Sequence, residues 1–315
     1  MNLTCLRTGG DARVYLATGE YPIGQLLWLS CSRAIVQLRF VTKQVGMSRV
    51  ITVAVCCLVL SAAGKIAAQT DYRVITVTNG GTITGTVKWS GPEPHLVRFG
   101  ITKDSPICDP ESQKTRDLER LVIGPQGGVA NTVVYLRDVS QGKAFDFPQD
   151  RRFLDQRHCR YEPHILLVPQ SAVLQMKSSD ATLHTIHMDG AATYNLPFPF
   201  PNQIITRDMP SAGLVNLRCN GGHVWMNAEM FVAPHPYYAV TDDSGRFQLT
   251  NVPPGQYQIV AWHEGWNVLR REAAFDVLTE KQVQRPVFSP PKTWEKAITV
   301  REHDNTTVEF VLSEK

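Results

Sequence analysis

The feature that most narrows the fold is the recurrence of short runs of strand-favouring residues closed off by turn residues. Runs at 74–78, 82–89, 132–136, 165–168, 173–177, 214–217, 237–241, 246–250 and 256–262 are rich in Val, Ile, Thr and aromatics and are bounded by Gly, Pro, Asn and Asp. β-Branched and aromatic side chains suit a pleated, half-buried surface, and this spacing between turns points to sandwiches or a barrel. Only residues 266–278 and the more charged 111–120 read as brief helices, too little for a helical layer. The 315 residues are 43% hydrophobic, which excludes wholesale disorder. The 22 Gly and 20 Pro are too few for a collagen-like chain and too many for a helical bundle.

Charge is unevenly placed. Residues 1–69 hold seven Lys/Arg against two Asp/Glu, whereas 70–315 hold 25 against 27. The body is near neutral and has no basic stripe for a phosphate backbone, so no nucleic-acid partner is expected. Met47-Ser48-Arg49 precedes an uncharged run at 50–64 that ends near Ala67-Ala68. A basic start, an apolar middle and a small-residue exit make residues 47–69 a secretory signal peptide. The run is shorter than the roughly 20 residues of a spanning helix, so membrane contact is expected only through an uncleaved signal, if at all. Residues 1–46 then read as a leader ahead of a true start at Met47, and the mature protein as periplasmic or secreted. It keeps Cys108, Cys159 and Cys219. An odd number in an oxidising compartment fits one disulfide and one special thiol.

The densest chemistry lies between Leu183 and Met226. Cys219, Asn220, Gly221, Gly222, His223, Val224, Trp225 and Met226 bring a thiolate, an imidazole and a thioether into one Gly-rich turn between two expected strands. Upstream, His184 and His187 sit on another expected strand after the polar turn Ser178-Ser179-Asp180. Two His, one Cys and a weak axial Met suit a trigonal copper site; zinc is the alternative metal, and the thioether argues against it. Here the chain resembles the cupredoxins of the amicyanin and plastocyanin types. By that resemblance His184, Cys219, His223 and Met226 fall on the four ligand positions, with His187 and Met230 in reserve. Thr185 stands where that family commonly has Asn tying the ligand loops together. Three residues separate Cys219 from His223, against two in the closest relatives and four in the azurin type. A binuclear copper site would need a second cysteine in the loop. Gly-rich backbone beside His223 makes it the expected exposed edge, with a transient partner surface near Val224 and Trp225.

Residues 155–164 also resemble the region before the copper domain of larger cupredoxin-like secreted bacterial proteins, where His164 could join a redox surface or cap a strand. Cys108 and Cys159, in polar loops outside the copper loop, are the expected disulfide. Ala239–Tyr257 carries a second resemblance, to the carboxypeptidase regulatory-like domain. Its Asp242-x-x-Gly245-x-Phe247 and Asn251-Val252-Pro253-Pro254-Gly255-x-Tyr257 turns would join successive strands of a small sandwich. No His-Glu-x-x-His pattern accompanies it, so peptidase activity has no support. His235 and His263 read as packing at the domain junction.

The expected protein is all-β. Residues 70–150 form an N-terminal β extension, which could add to the copper-domain sheet or stand apart. A Greek-key cupredoxin-like sandwich at 151–233 follows, then a regulatory-like β-sandwich at 234–315. The expected function is one-electron transfer by a single copper with redox partner proteins, not enzyme catalysis. The alternatives are a metal-free cell-envelope or carbohydrate-binding module, or copper storage and delivery.

Overall fold

The computed structural model describes residues 72–147, 153–276 and 279–314, together with four short strands nearer the N-terminus. The chain divides into two units, 1–66 and 67–315. In the first, Thr4–Thr8 pairs with Asp11–Tyr15 and Trp28–Ser32 with Ile35–Arg39, both antiparallel. The expected export signal at 47–69 lies outside the described residues. Among the described residues no helix is long and apolar enough to cross a membrane.

The second unit is all-β and holds two sandwiches. One lies within residues 153–233. Its five-stranded sheet runs Ile165–Pro169, Asn227–Ala233, Gly213–Arg218, His184–Gly190, Tyr194–Phe198. Its four-stranded sheet runs Arg160–Glu162, Phe153–Arg157, Val173–Ser178, Ile204–Asp208. Alternation places the core: Leu174, Met176 and Ser178 are buried while Val173 and Gln175 are exposed. Leu154, Leu174 and Met176 from one sheet share a core with Ile186, Met188, Val215 and Met230 from the other. Ile165–Pro169 is buried along its whole length, because its second face meets Val133, Phe231 and Trp262 at the junction with the other sandwich.

That other sandwich is assembled from both ends of the unit. One sheet runs Tyr238–Val240, Val133–Leu136, Gly255–His263, Lys292–Val300; the second runs Arg246–Val252, Gly81–Trp89, Asn305–Leu312. The two longer strands of 72–147, Gly81–Trp89 and Val133–Leu136, therefore neither extend the 153–233 sheets nor stand apart; they pair with strands C-terminal to residue 237, while the two-residue strands Arg73–Val74 with Gln141–Gly142 and Phe99–Gly100 with Thr115–Arg116 pair among themselves. The run at 82–89 lies within one strand, Gly81–Trp89. At Gly85 a Cβ would come within 2.1 Å of the Val308 carbonyl oxygen and 2.4 Å of the Phe247 ring, so only glycine lets the flanking groups close over it. Of the run at 74–78, only Val74 is in a strand, Arg73–Val74.

Both helical expectations fail for identifiable reasons. Across 111–120, Ser112, Lys114 and Glu119 have positive φ, and the Asp109 carboxylate accepts from the amides of Gln113 and Lys114 at 2.9 and 2.7 Å. Local side-chain acceptors thus compete with helical bonding. The short helix falls earlier, at Ser105–Cys108. Residues expected as helix at 266–278 instead supply the strand Val268–Asp276, which pairs with Lys281–Phe288 in a two-stranded ribbon. Val268 and Phe288 pack on the core of the 153–233 sandwich, and that anchoring overrides helix propensity.

The expected Cys108–Cys159 disulfide is present, with Cα atoms 5.0 Å apart and both residues fully buried. It closes a separation of 51 residues. Replacing both cysteines with serine is expected to cost about 4 kcal/mol on the loop-entropy relation. Urea unfolding of the double variant reads this, and an unchanged midpoint would overturn it.

Candidate metal centre

The strand His184–Gly190 pairs antiparallel with Gly213–Arg218, so the start of one faces the end of the other and the loop that leaves it. This register brings residues 35 to 39 apart in sequence to one point. His184, Cys219 and His223 are each fully or almost fully buried, and their ligating atoms all lie within 4.8 Å of one another. His184 Nδ1 is 3.2 Å from His223 Nδ1, and His223 Nδ1 is 3.9 Å from Cys219 Sγ.

The loop is closed by its own backbone. Met226 N–H donates to the His223 carbonyl at 2.9 Å, and Cys219 N–H to the Met226 carbonyl at 3.4 Å. Gly221 N–H and Thr185 N–H donate to the Cys219 sulfur at 3.3 and 3.4 Å. Thr185 Oγ1 accepts from Asn220 N–H at 2.6 Å, a bond that ties the strand to the loop although threonine stands where the resembled family commonly has Asn. The Met226 side chain is buried in the same core as Cys219 and Trp225. Of the reserve residues, Met230 is buried mid-strand in the core, and His187 is half-buried with Nε2 2.9 Å from Arg218 Nη2. His187 is not in the His184–Cys219–His223 group.

Two carboxylates without a recognisable sequence pattern complete the arrangement. His184 Nε2 lies 2.9 Å from Asp180 Oδ2, and His223 Nε2 lies 2.9 Å from Asp104 Oδ2. A carboxylate acceptor holds the proton on Nε2 and turns the Nδ1 lone pair inward. Two such lone pairs and a sulfur then face one another in a buried space, which requires a proton or a metal cation between them. Burial by itself would raise the Cys219 thiol; hydrogen bonds and charge from His184 and His223 outweigh it and hold the thiol well below its ordinary range. Burial would likewise lower His184, but its bonds to Asp180 and Cys219 raise it to about 9. This donor set fits a soft to borderline metal such as copper or zinc.

The centre is covered, contrary to the expected exposed edge at His223. His223 is fully buried and Trp225 nearly so, with its ring edge-on to His223 at 5.4 Å and its Nε1–H donating to the Cys159 carbonyl. The ribbon from the other sandwich lies over the ligand loop. Lys103 Nζ donates to the Gly221 carbonyl at 2.8 Å and to Asp276 Oδ2 at 2.7 Å, while Arg285 Nη2 donates to the Cys219 carbonyl and to Asn220 Oδ1. Gly222, at φ +89°, is needed beneath it: a Cβ there would meet Asp276 Oδ2 at 2.4 Å.

The remaining histidines lie elsewhere. His164 is buried and bonded to Glu264, inside a junction network in which Arg120 reaches Glu264 at 2.7 Å, Glu229 at 3.8 Å and the carbonyl of Gly265 at 2.6 Å. His263 Nδ1 sits 2.8 Å from the Glu264 carbonyl, and His235 packs among Tyr72, Tyr237 and Tyr238, as expected of junction residues. Glu229 is pushed up to about 8, first by burial and then by the Glu264 carboxylate, against the pull of Arg120. Folding therefore takes up a proton between about pH 4.5 and 8, and this contribution to stability is lost as pH rises through 8. Glu229→Gln is expected to remove that slope, a difference on the order of a few kcal/mol across the window. Equal slopes in paired denaturation series would refute it.

Residues 236–287 match one family, described as BOS complex subunit NOMO1-like, second beta sandwich domain. No curated protein matches. Among solved structures, the purple cupredoxin from Nitrosopumilus maritimus is similar at 15% identity and TM-score 0.23, over 26% of this chain and 98% of that one. A reduced, singly substituted amicyanin is similar at 18% identity and TM-score 0.25, over 32% of this chain and 98% of that one. The copper-containing nitrite reductase from Thermus scotoductus is similar at 13% identity and TM-score 0.24, over 26% of this chain, which spans only 22% of that one. At such scores the likenesses carry no weight of their own, and the metal reading rests on side-chain geometry.

Proposed function

We propose that the protein is an exported one-electron carrier that holds a single copper ion at His184, Cys219 and His223, with Met226 as a weak axial donor. The observation that carries this reading is the convergence of two imidazole Nδ1 atoms and the Cys219 sulfur, with both Nε2 atoms already engaged by carboxylates. Copper, when bound there, supplies the Cu(I)/Cu(II) couple. The residues do the rest: the buried loop excludes water, the amides of Gly221 and Thr185 stabilise the thiolate, and the ribbon clamps the loop so that little needs to move between states. A buried disulfide supports export to an oxidising compartment, periplasmic or extracellular. The segment 236–287, part of the sandwich that also takes strands from 81–136 and 292–312, is read more finely as a carboxypeptidase regulatory-like module that serves as structural support. Redox partner proteins would meet the face at Asp104, whose side chain is 32% exposed and is bonded to His223.

Copper storage or delivery is the second reading, favoured by the complete burial of His184 and His223, which suits retention better than rapid exchange. Loading the exported protein with Cu(II) and recording its absorption spectrum tests the site; an intense thiolate-to-copper band is expected, and bound copper without that band defeats the carrier reading. Stopped-flow oxidation and reduction separates carrier from store: fast reversible cycling with copper retained supports the first.

A further inference from the structure

Both carboxylates behind the histidines are themselves held by the segments that the disulfide joins. Asp180 accepts His158 N–H on Oδ1 at 2.7 Å, and Cys159 N–H on Oδ2 at 2.8 Å together with His184 Nε2. Asp104 stands four residues before Cys108; its carbonyl accepts Ile107 and Cys108 N–H, both at 2.9 Å, and its Oδ2 accepts from Thr182 Oγ1 at 2.7 Å and from His223 Nε2. A disulfide sulfur and the nearest ring nitrogen of each histidine fall within 4.8 Å. Disulfide, carboxylates and imidazoles therefore form successive shells of one assembly, buried at Asp180 and opening to solvent at Asp104.

We propose that Asp104 and Asp180 set which oxidation state of the bound metal is favoured, and that the Cys108–Cys159 bridge keeps them in place to do so. This rests on the copper reading above. A carboxylate accepting Nε2–H makes the imidazole a more basic donor and adds a negative charge behind it, least screened at the buried Asp180 and partly screened at Asp104. A doubly charged ion gains more from each such anion than a singly charged one. Two anions together bias the centre toward the oxidised form.

The test is redox titration of copper-loaded protein, with the thiolate-to-copper band as a check that the centre is intact. Asp104→Asn is the least disruptive change, because both of its bonds use one oxygen and an amide oxygen can keep them. The ratio of Cu(II) to Cu(I) affinity is expected to fall about tenfold or more, equivalent to a rise of roughly 59 mV for one electron. Asp104→Glu keeps the anion and should stay near wild type. The Cys108→Ser/Cys159→Ser double variant should move the potential the same way as Asp104→Asn. If that variant loads no copper, Thr182→Val serves instead: it takes a hydrogen bond from the carboxylate without touching its charge and should lower the potential. A purely structural role would weaken both oxidation states alike and leave the potential unmoved. That result, with the band intact, overturns the proposal; a wild-type protein lacking the band overturns the copper reading first, and this inference with it.

Discussion

Cys219→Ser is expected to abolish the intense thiolate-to-copper absorption and to weaken copper binding by more than the roughly 10- to 100-fold typical of changes outside the ligand shell. Serine at this place offers a neutral hydroxyl where the buried sulfur is held as an anion by His184 and His223, and no other cysteine lies in the loop. The fold should survive, because the sulfur is one small member of a core that also holds Ile186, Met188, Leu217 and Trp225. Met226→Leu, similar in volume, should keep the band and shift the potential. Equilibrium copper titration and visible spectra read both. A Cys219→Ser protein that keeps the band would place the thiolate elsewhere and defeat the site assignment.

Arg120→Met is expected to cost about 3–5 kcal/mol of stability, because it takes the 2.7 Å cation from the buried Glu264 carboxylate, while Glu229, already pushed up to about 8, simply stays protonated. Arg120 also donates to Asn227 Oδ1 and the Gly265 carbonyl, with its guanidinium 3.9 Å from the Phe288 ring centroid, so one side chain fastens both sandwiches and the covering ribbon. Adding Glu264→Gln to the variant should recover part of the loss, since the residual penalty is an unpaired charge. Thermal unfolding of the single and double variants decides. A single variant within about 1 kcal/mol of wild type would mean that water reaches the network.

Much of the strand pattern is legible in the sequence because period-two alternation and turn residues are local, as at Val173–Ser178 and Arg246–Val252. His184, Cys219 and His223 are legible because a ligand pair within one loop leaves a short-range signature. Asp104 is not: it lies 119 residues from His223 in a turn with no recurring pattern. Asp180 leaves a faint signal, an acidic residue in the polar turn four positions before His184. The covered state of His223 depends on Lys103 meeting Asp276 across 173 residues, which no window along the chain can register. The helix expected at 266–278 fails for the same reason. Anchoring through Val268 and Phe288 decides its fate, not the propensities of Arg271, Glu272, Ala273 and Ala274.

The pairing of Gly81–Trp89 with Asn305–Leu312 also sets a timetable. Thr82 is matched to Asn305 and Trp89 to Leu312, so this strand leaves the ribosome some 223 residues before its neighbour exists. At roughly 5–20 residues per second that is a wait on the order of ten to fifty seconds. The inserted sandwich, whose strands all lie within 153–233, can be finished during the interval. A polypeptide released before residue 305 should carry an assembled middle and a second sandwich in which Gly81–Trp89, paired only with Arg246–Val252, presents an open edge, and should require a holding chaperone in whatever compartment receives it.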